Sequence, residues 1–115
     1  MKVVIAGSRT LVDYEVVKTA IKKSGMAVSV VFSGHCRGAD RLGELYAKEH
    51  GLACQLYLPE WAKYGRAAGP KRNAAMLADA DVLIAILKAG AANRGTLNII
   101  EQARKIGVLT YVHSC

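Results

Sequence analysis

Five short, nearly unbroken apolar runs recur along the 115 residues, at positions 2–6, 28–33, 53–58, 81–87 and 108–113. None alternates apolar with polar as a strand with one wet face would. Runs of this kind fit strands covered on both faces, as in a parallel sheet. Helical periodicity fills the gaps between them. Val16, Val17, Ala20 and Ile21 draw an apolar stripe along residues 13–24, and Leu42, Leu45 and Tyr46 do the same along 39–50. Ala74, Ala75, Met76 and Leu77 predict a short third helix, and Leu97, Ile100 and Ala103 mark a fourth. Gly25, Gly51 and Gly107 each follow a last helical residue, where a left-handed cap needs no Cβ. Asp13 and Asp40 stand where N-caps are wanted, and Pro70 suits a first helical position. Strand and helix therefore alternate. The pattern predicts an α/β fold, one open parallel sheet of about five strands with right-handed crossovers and helices on both faces.

No linker, charge block or repeat divides the chain, so residues 1–115 read as a single domain, long enough to bury a core without metal or disulfide staples. A composition of 52% hydrophobic and 22% charged residues excludes a disordered tail. No apolar stretch approaches the ~20 residues that span a bilayer. Residues 1–8 lack the run and cleavage site of a signal peptide, so neither membrane nor export is expected. Cys36, Cys54 and Cys115 are odd in number and scattered, which fits free thiols in a reducing, cytoplasmic compartment. The excess of 16 Lys+Arg over 9 Asp+Glu leaves +7 and calls for an anionic partner: nucleic acid, a nucleotide or a phosphosugar.

In open α/β sheets ligands sit beyond the carboxyl ends of the strands, near the point where strand order reverses. The segments leaving those ends are Gly7-Ser8-Arg9-Thr10, then Ser33-Gly34-His35-Cys36-Arg37-Gly38-Ala39-Asp40, then the long connection 59–70 running into Lys71-Arg72-Asn73, and then residues 88–95 followed by Thr96. They hold Arg9, Arg37, Arg66, Lys71, Arg72, Lys88 and Arg94, seven of the sixteen cations. Glycines let a backbone approach closely, helix N-termini present free N–H groups, and arginine forks chelate phosphate oxygens. The loop from Gly34 to Gly38 has neither the Gly-Lys-Ser/Thr end of a Walker A motif nor the Gly-x-Gly-x-x-Gly dinucleotide spacing.

Gly7-Ser8-Arg9, Ser33-Gly34-x-x-Arg37-Gly38-Ala39-Asp40 and Gly69-Pro70-Lys71-Arg72-Asn73 together resemble the SLOG superfamily of Smf/DprA and LOG proteins, most closely its small branch related to YspA and YpsA. The resemblance runs over nearly the whole chain. It implies a Rossmann-like domain that binds a nucleotide or a nucleotide-derived phosphate ligand, as a sensor or binding module, with no further cofactor. LOG members cleave the N-glycosidic bond of a nucleoside monophosphate. Arg72-Asn73-Ala74-Ala75-Met76 is similar to their Arg-Lys-x-x-Met stretch, with Asn73 in place of lysine, and Asn93-Arg94-Gly95-Thr96 resembles part of Gly-Gly-x-Gly-Thr-x-x-Glu. The residue three past Thr96 is Ile99, where LOG catalysis expects glutamate. Glu101 lies two positions further, about 200° around a helix, and should not point where that carboxylate would. A LOG-type N-glycosidase would have to use a rearranged set such as Arg72 with Asp40 or Glu101. DprA-like single-stranded DNA binding is a further alternative. Against it, the cations gather at loop ends, with no interleaved aromatic platform. Self-association as a homodimer or larger homo-oligomer is expected, because SLOG relatives commonly dimerise and a small sheet has edges to cover.

The ligand-binding candidates are thus Gly7, Ser8, Arg9, Ser33, Gly34, Arg37, Gly38, Asp40, Arg72, Asn73, Arg94, Gly95 and Thr96. Asp40 serves equally as helix cap or ribose ligand. Arg72 and Asn73, read as first-turn residues, set a cation against the helix dipole that a bound anion would relieve. Gly95 and Thr96 would open the fourth helix, where Thr96 could equally be an ordinary cap. His35 and Cys36 have no partners at metal-ligand spacing, so no metal site is expected. Cys36 at a helix start could be a reactive thiol, but no base accompanies it. Trp61, Tyr57 and Tyr64 could stack on a base or simply anchor the third connection.

Overall fold

A computed structural model describes residues 1–115. Five strands, β1 (Lys2–Gly7), β2 (Val30–Ser33), β3 (Ala53–Leu56), β4 (Val82–Leu87) and β5 (Leu109–Ser114), form one sheet in the order β3-β2-β1-β4-β5. Every neighbouring pair is parallel. This is the Rossmann-like α/β arrangement that the apolar runs imply. The order reverses at β1 and β4, which lie side by side although 74 residues separate Gly7 and Val82 along the chain. Helices α1 (Tyr14–Ser24) and α2 (Ala39–Glu49) cover one face. The short α3 (Trp61–Tyr64), a 3-10 turn at Gly65–Ala67, α4 (Ala68–Asp79) and α5 (Arg94–Ile106) complete the chain, and α4 and α5 cover the other face.

Strand alternation divides the core in two. Val3, Ile5, Val82, Ile84 and Ile86 face α1 and α2, where Val17, Ala20, Ile21 and Ala47 meet them. Val4, Ala6, Leu83 and Ala85 face α4 and α5, against Met76, Leu77, Ile99, Ile100 and Ala103. At ~25 cal/mol per Å² of apolar surface, this burial is the main force holding the sandwich together. No helix is long and apolar enough to cross a membrane.

Several local expectations are corrected. β2 begins at Val30 rather than at 28, and β3 ends at Leu56 rather than at 58. All four β3 residues are exposed, so the run at 53–58 forms an edge strand and not a doubly covered one. Apolar composition does not tell a central strand from an edge. The buried stripe of α2 is Ala39, Asp40, Gly43 and Ala47, with Leu45 exposed, and in α5 it is Thr96, Ile99, Ile100 and Ala103, with Leu97 exposed. The connection 59–70 is largely helical, and Pro70 is the third residue of α4 instead of the first. Proline is tolerated there because the first four N–H groups of a helix have no intrahelical partner.

Asp13 caps α1 as read, its Oδ1 accepting the Glu15 amide at 3.0 Å. Asp40 does not cap α2. The cap is Gly38, and Asp40 lies one residue inside the helix. Gly43 brings α2 down onto the sheet, since a Cβ there would stand 2.9 Å from both Cβ and Cγ2 of Ile5. Helix propensity alone favours alanine over glycine by ~1 kcal/mol. Gly43→Ala should nevertheless lose ~1–3 kcal/mol in urea unfolding through overpacking. Gly95→Ala, whose Cβ would meet open space, should be neutral or gain up to ~1 kcal/mol. Equal effects at the two positions would refute this account of the α2 contact.

Candidate functional site

The loops leaving β1, β2 and β4 spread apart at the reversal of strand order, and a cleft of about 350 Å³ opens between them. That volume is at the small end of the ~300–1,000 Å³ typical of ligand pockets. One wall is Gly7, Ser8, Arg9 and Thr10. A second is Cys36 and Asp40, a third Arg72, Asn73 and Met76, and the fourth runs from Ala91 through Asn93, Arg94, Gly95 and Thr96 to Ile99. Of the residues singled out from sequence, the fold brings Gly7, Ser8, Arg9, Asp40, Arg72, Asn73, Arg94, Gly95 and Thr96 together here.

Ser33, Gly34, Arg37 and Gly38 lie outside the lining and build the loop behind it. Ser33 is fully buried and donates to Glu44 Oε2 at 2.7 Å, while its hydroxyl accepts the His35 amide at 3.0 Å. Glu44 also holds His35 Nδ1 at 2.8 Å, and His35 takes a left-handed φ of 60°. Gly38 has φ 81°, and a Cβ on it would stand 2.2 Å from the Ser8 carbonyl oxygen. Only glycine fits there, which lets the Ala39 amide donate to that carbonyl at 3.1 Å and ties the first loop to the second. Gly34 packs under the Arg72 guanidinium, and Arg37 is exposed. Glu101 is also outside: it pairs with Lys105 at 3.2 Å on the outer face of α5, as the rotation from Ile99 requires.

Arg72 falls in the second turn of α4, not the first, so it does not oppose the helix dipole in the way the sequence suggested. It acts as a clasp. Nε donates to Asn73 Oδ1 at 2.8 Å, Nη1 to the Gly34 carbonyl at 2.7 Å, and Nη2 to Cys36 Sγ at 3.7 Å. Two of its five N–H groups remain uncommitted. Sequence reading missed the apolar floor of Ala6, Met76 and Ile99 and the role of Asn93. Asn93 begins α5 with φ 54° and makes no capping bond. Its side chain instead accepts the Lys88 amide at 3.2 Å and donates to the carbonyls of Lys88 and Ala91 at 2.9 and 3.1 Å. An asparagine ahead of a helix signals a cap, and only the three-dimensional loop shows it stapling residues 88–93 instead.

The two helix starts at the cleft differ electrostatically. The first turn of α2 holds Asp40, whereas that of α5 holds no acidic residue, no side-chain cap and an arginine. The chain's ion pairs are Lys18–Glu15, His35–Glu44 and Lys105–Glu101, so Arg9, Arg72 and Arg94 face no carboxylate partner within 4.0 Å. Outside the cleft, α3 carries two aromatic side chains. Trp61 and Tyr64 are exposed, and the Lys63 and Lys71 ammonium groups sit 5.0 and 4.7 Å from the Tyr64 ring centroid.

Asp40 is 6% exposed, and burial pushes its carboxyl up to about 6 despite the Cys36 amide and the nearby Arg72 charge. A carboxyl whose folded pKa exceeds its unfolded value favours folding fully below the unfolded value of 3.8, and loses that contribution as pH rises through about 6. Above that pH the ionised group costs the fold about 3 kcal/mol. Asp40→Asn should therefore raise the melting temperature relative to wild type at pH 8, with the gain vanishing near pH 4. An Asn variant equally destabilised at both pH values would refute the assignment.

The model of the YspA, cpYpsA-related SLOG family (YAcAr) matches residues 1–64. A comparison with curated proteins found no match. Among solved structures, DNA processing protein A (DprA) from Streptococcus pneumoniae superposes with a TM-score of 0.73 over 97% of this chain at 18% identity, and this chain spans 49% of its length. At that identity the likeness establishes the fold. The family match extends over β1 to β3 and both glycine loops that form the near side of the cleft, and the chain belongs to the YspA, cpYpsA-related SLOG family.

Proposed function

We propose that the chain is a binding or sensing module for a nucleotide or nucleotide-derived phosphate ligand, held in the cleft at the carboxyl ends of β1 and β4. The observation that carries this reading is the start of α5. Its first-turn N–H groups have no side-chain cap, no acidic residue competes for them, and Arg94 stands among them while Arg9 lines the facing wall. Free helix N–H groups joined by arginine forks form an anion site. Ile99 in the floor, with Glu101 turned outward, speaks for retention of the ligand over LOG-type hydrolysis. The cleft volume favours a mononucleotide over a dinucleotide.

The test is a thermal-shift screen of nucleoside monophosphates and ribose 5-phosphate against the chain. A ligand at ~100 times its dissociation constant should stabilise by about 2.7 kcal/mol, a rise on the order of 10 °C for a domain of this size. Arg94→Ala and Thr96→Val should each reduce that rise. No shift with any of these compounds, or full shifts in both variants, would overturn the proposal. Release of free base that stops in Asp40→Asn would replace it with the glycosidase reading.

A second reading, single-stranded nucleic acid binding, is supported by the exposed Trp61 and Tyr64 set among Lys63, Arg66 and Lys71. Bases stack on such rings while cations track the backbone. Trp61 is the sole tryptophan, so oligo(dT) bound on this surface should quench its fluorescence, with an affinity that falls steeply with salt. Unchanged fluorescence across a full titration would dismiss this second surface.

A further inference from the structure

The cleft has two poles of opposite character. The start of α5 offers uncapped N–H groups and Arg94, while at the start of α2 stands Asp40, the one carboxylate in the lining. Asp40 is 6% exposed, its Oδ2 accepts the Cys36 amide at 3.4 Å, and the Gly7 amide lends it weaker support. Arg72 does not satisfy it, because its donors go to Asn73, to the Gly34 carbonyl and to Cys36 Sγ. A buried carboxylate with spare acceptor capacity needs donors from whatever fills the space beside it.

The chemistry of those donors can be narrowed. A phosphate is excluded by like charge. A metal ion is poorly served, since no group of three His, Cys, Asp or Glu side chains is placed to hold one and Arg72 is close by. An ammonium would enter a cleft already lined by Arg9, Arg72 and Arg94. Neutral hydroxyl groups carry no such conflict, and a vicinal pair matches the two oxygens of one carboxylate. A ribose 5-phosphate has this polarity, with its anion at one end and its diol toward the other. We infer that Asp40 accepts the ribose hydroxyls of the bound nucleotide and so makes the site selective for ribonucleotides over their 2′-deoxy counterparts. The burial that raises the Asp40 pKa also strengthens such hydrogen bonds. This inference rests on the nucleotide reading of the cleft.

The experiment measures the affinities of AMP, GMP, CMP and UMP and of their 2′-deoxy forms for the wild-type chain and for Asp40→Asn by calorimetry at pH 8. For each base that binds, the wild type should prefer the ribose form by about ten-fold or more, the discrimination typical of hydrogen bonds to a charged acceptor. Asp40→Asn should shrink that preference to about three-fold or less. Equal binding of ribose and deoxy forms to the wild type overturns the inference while leaving the nucleotide reading intact. A preference that follows the base instead of the sugar assigns Asp40 to a base amine and also overturns it. So does an unchanged ribose preference in Asp40→Asn. If that variant fails to fold, 3′-deoxy-AMP and 2′-deoxy-AMP against AMP on the wild type decide the question alone. Silence from all eight nucleotides overturns the nucleotide reading and this inference with it.

Discussion

The reversal of strand order between β1 and β4 is the constraint on which the rest depends. Two strands distant in sequence lie in register from Val3 against Val82 to Gly7 against Ile86. Their following segments must leave in opposite directions, one toward α1 and the other toward α5. The gap between them is the cleft. Nothing local would hold such a gap open, and the two apolar layers do so instead, by fixing the sheet from both faces.

Within that frame, short polar contacts place the loops. Gly38 lets the second loop touch the Ser8 carbonyl, Arg72 binds α4 to the loop after β2, and Asn93 staples the loop after β4. These three ties come from different elements and converge on one edge of the sheet. Asp40 differs from them. Its ionised form costs stability in the folded chain, and a stability cost of this kind is common where a group serves a site. A hydroxyl donor beside the ionised carboxylate would offset that cost.

The strands were legible because apolar runs bounded by glycine-rich segments have one common outcome in an α/β chain. Their rank in the sheet was not, since residues 53–58 are as apolar as the central runs, yet all four residues of β3 are exposed at an edge. Cap chemistry was legible at Asp13 and misread at Asp40, because Gly38 could adopt φ 81° and start the helix earlier. The loop glycines and arginines pointed to the correct edge of the sheet. Their division of labour did not show, as Arg72 meets a carbonyl 38 positions away and Ser33 turns to Glu44 instead of the cleft. Exclusion of Glu101 followed from helical rotation alone, which needs no tertiary knowledge.

The edge strand β3 has a bearing on how copies of the molecule behave toward one another. Ala53, Cys54, Gln55 and Leu56 carry no charge, and Leu56 and Leu58 are 45% and 62% exposed. Natural edges are commonly protected by a lysine, a proline or a bulge, and this stretch has none of them. The protection it does have is collective: a net charge of +7 makes each copy repel the next. Such repulsion reaches ~30 Å at 0.01 M ionic strength and only ~8 Å at physiological salt. Ionic strength thus acts as a colloidal control on this protein, setting how readily one sheet edge comes within reach of another.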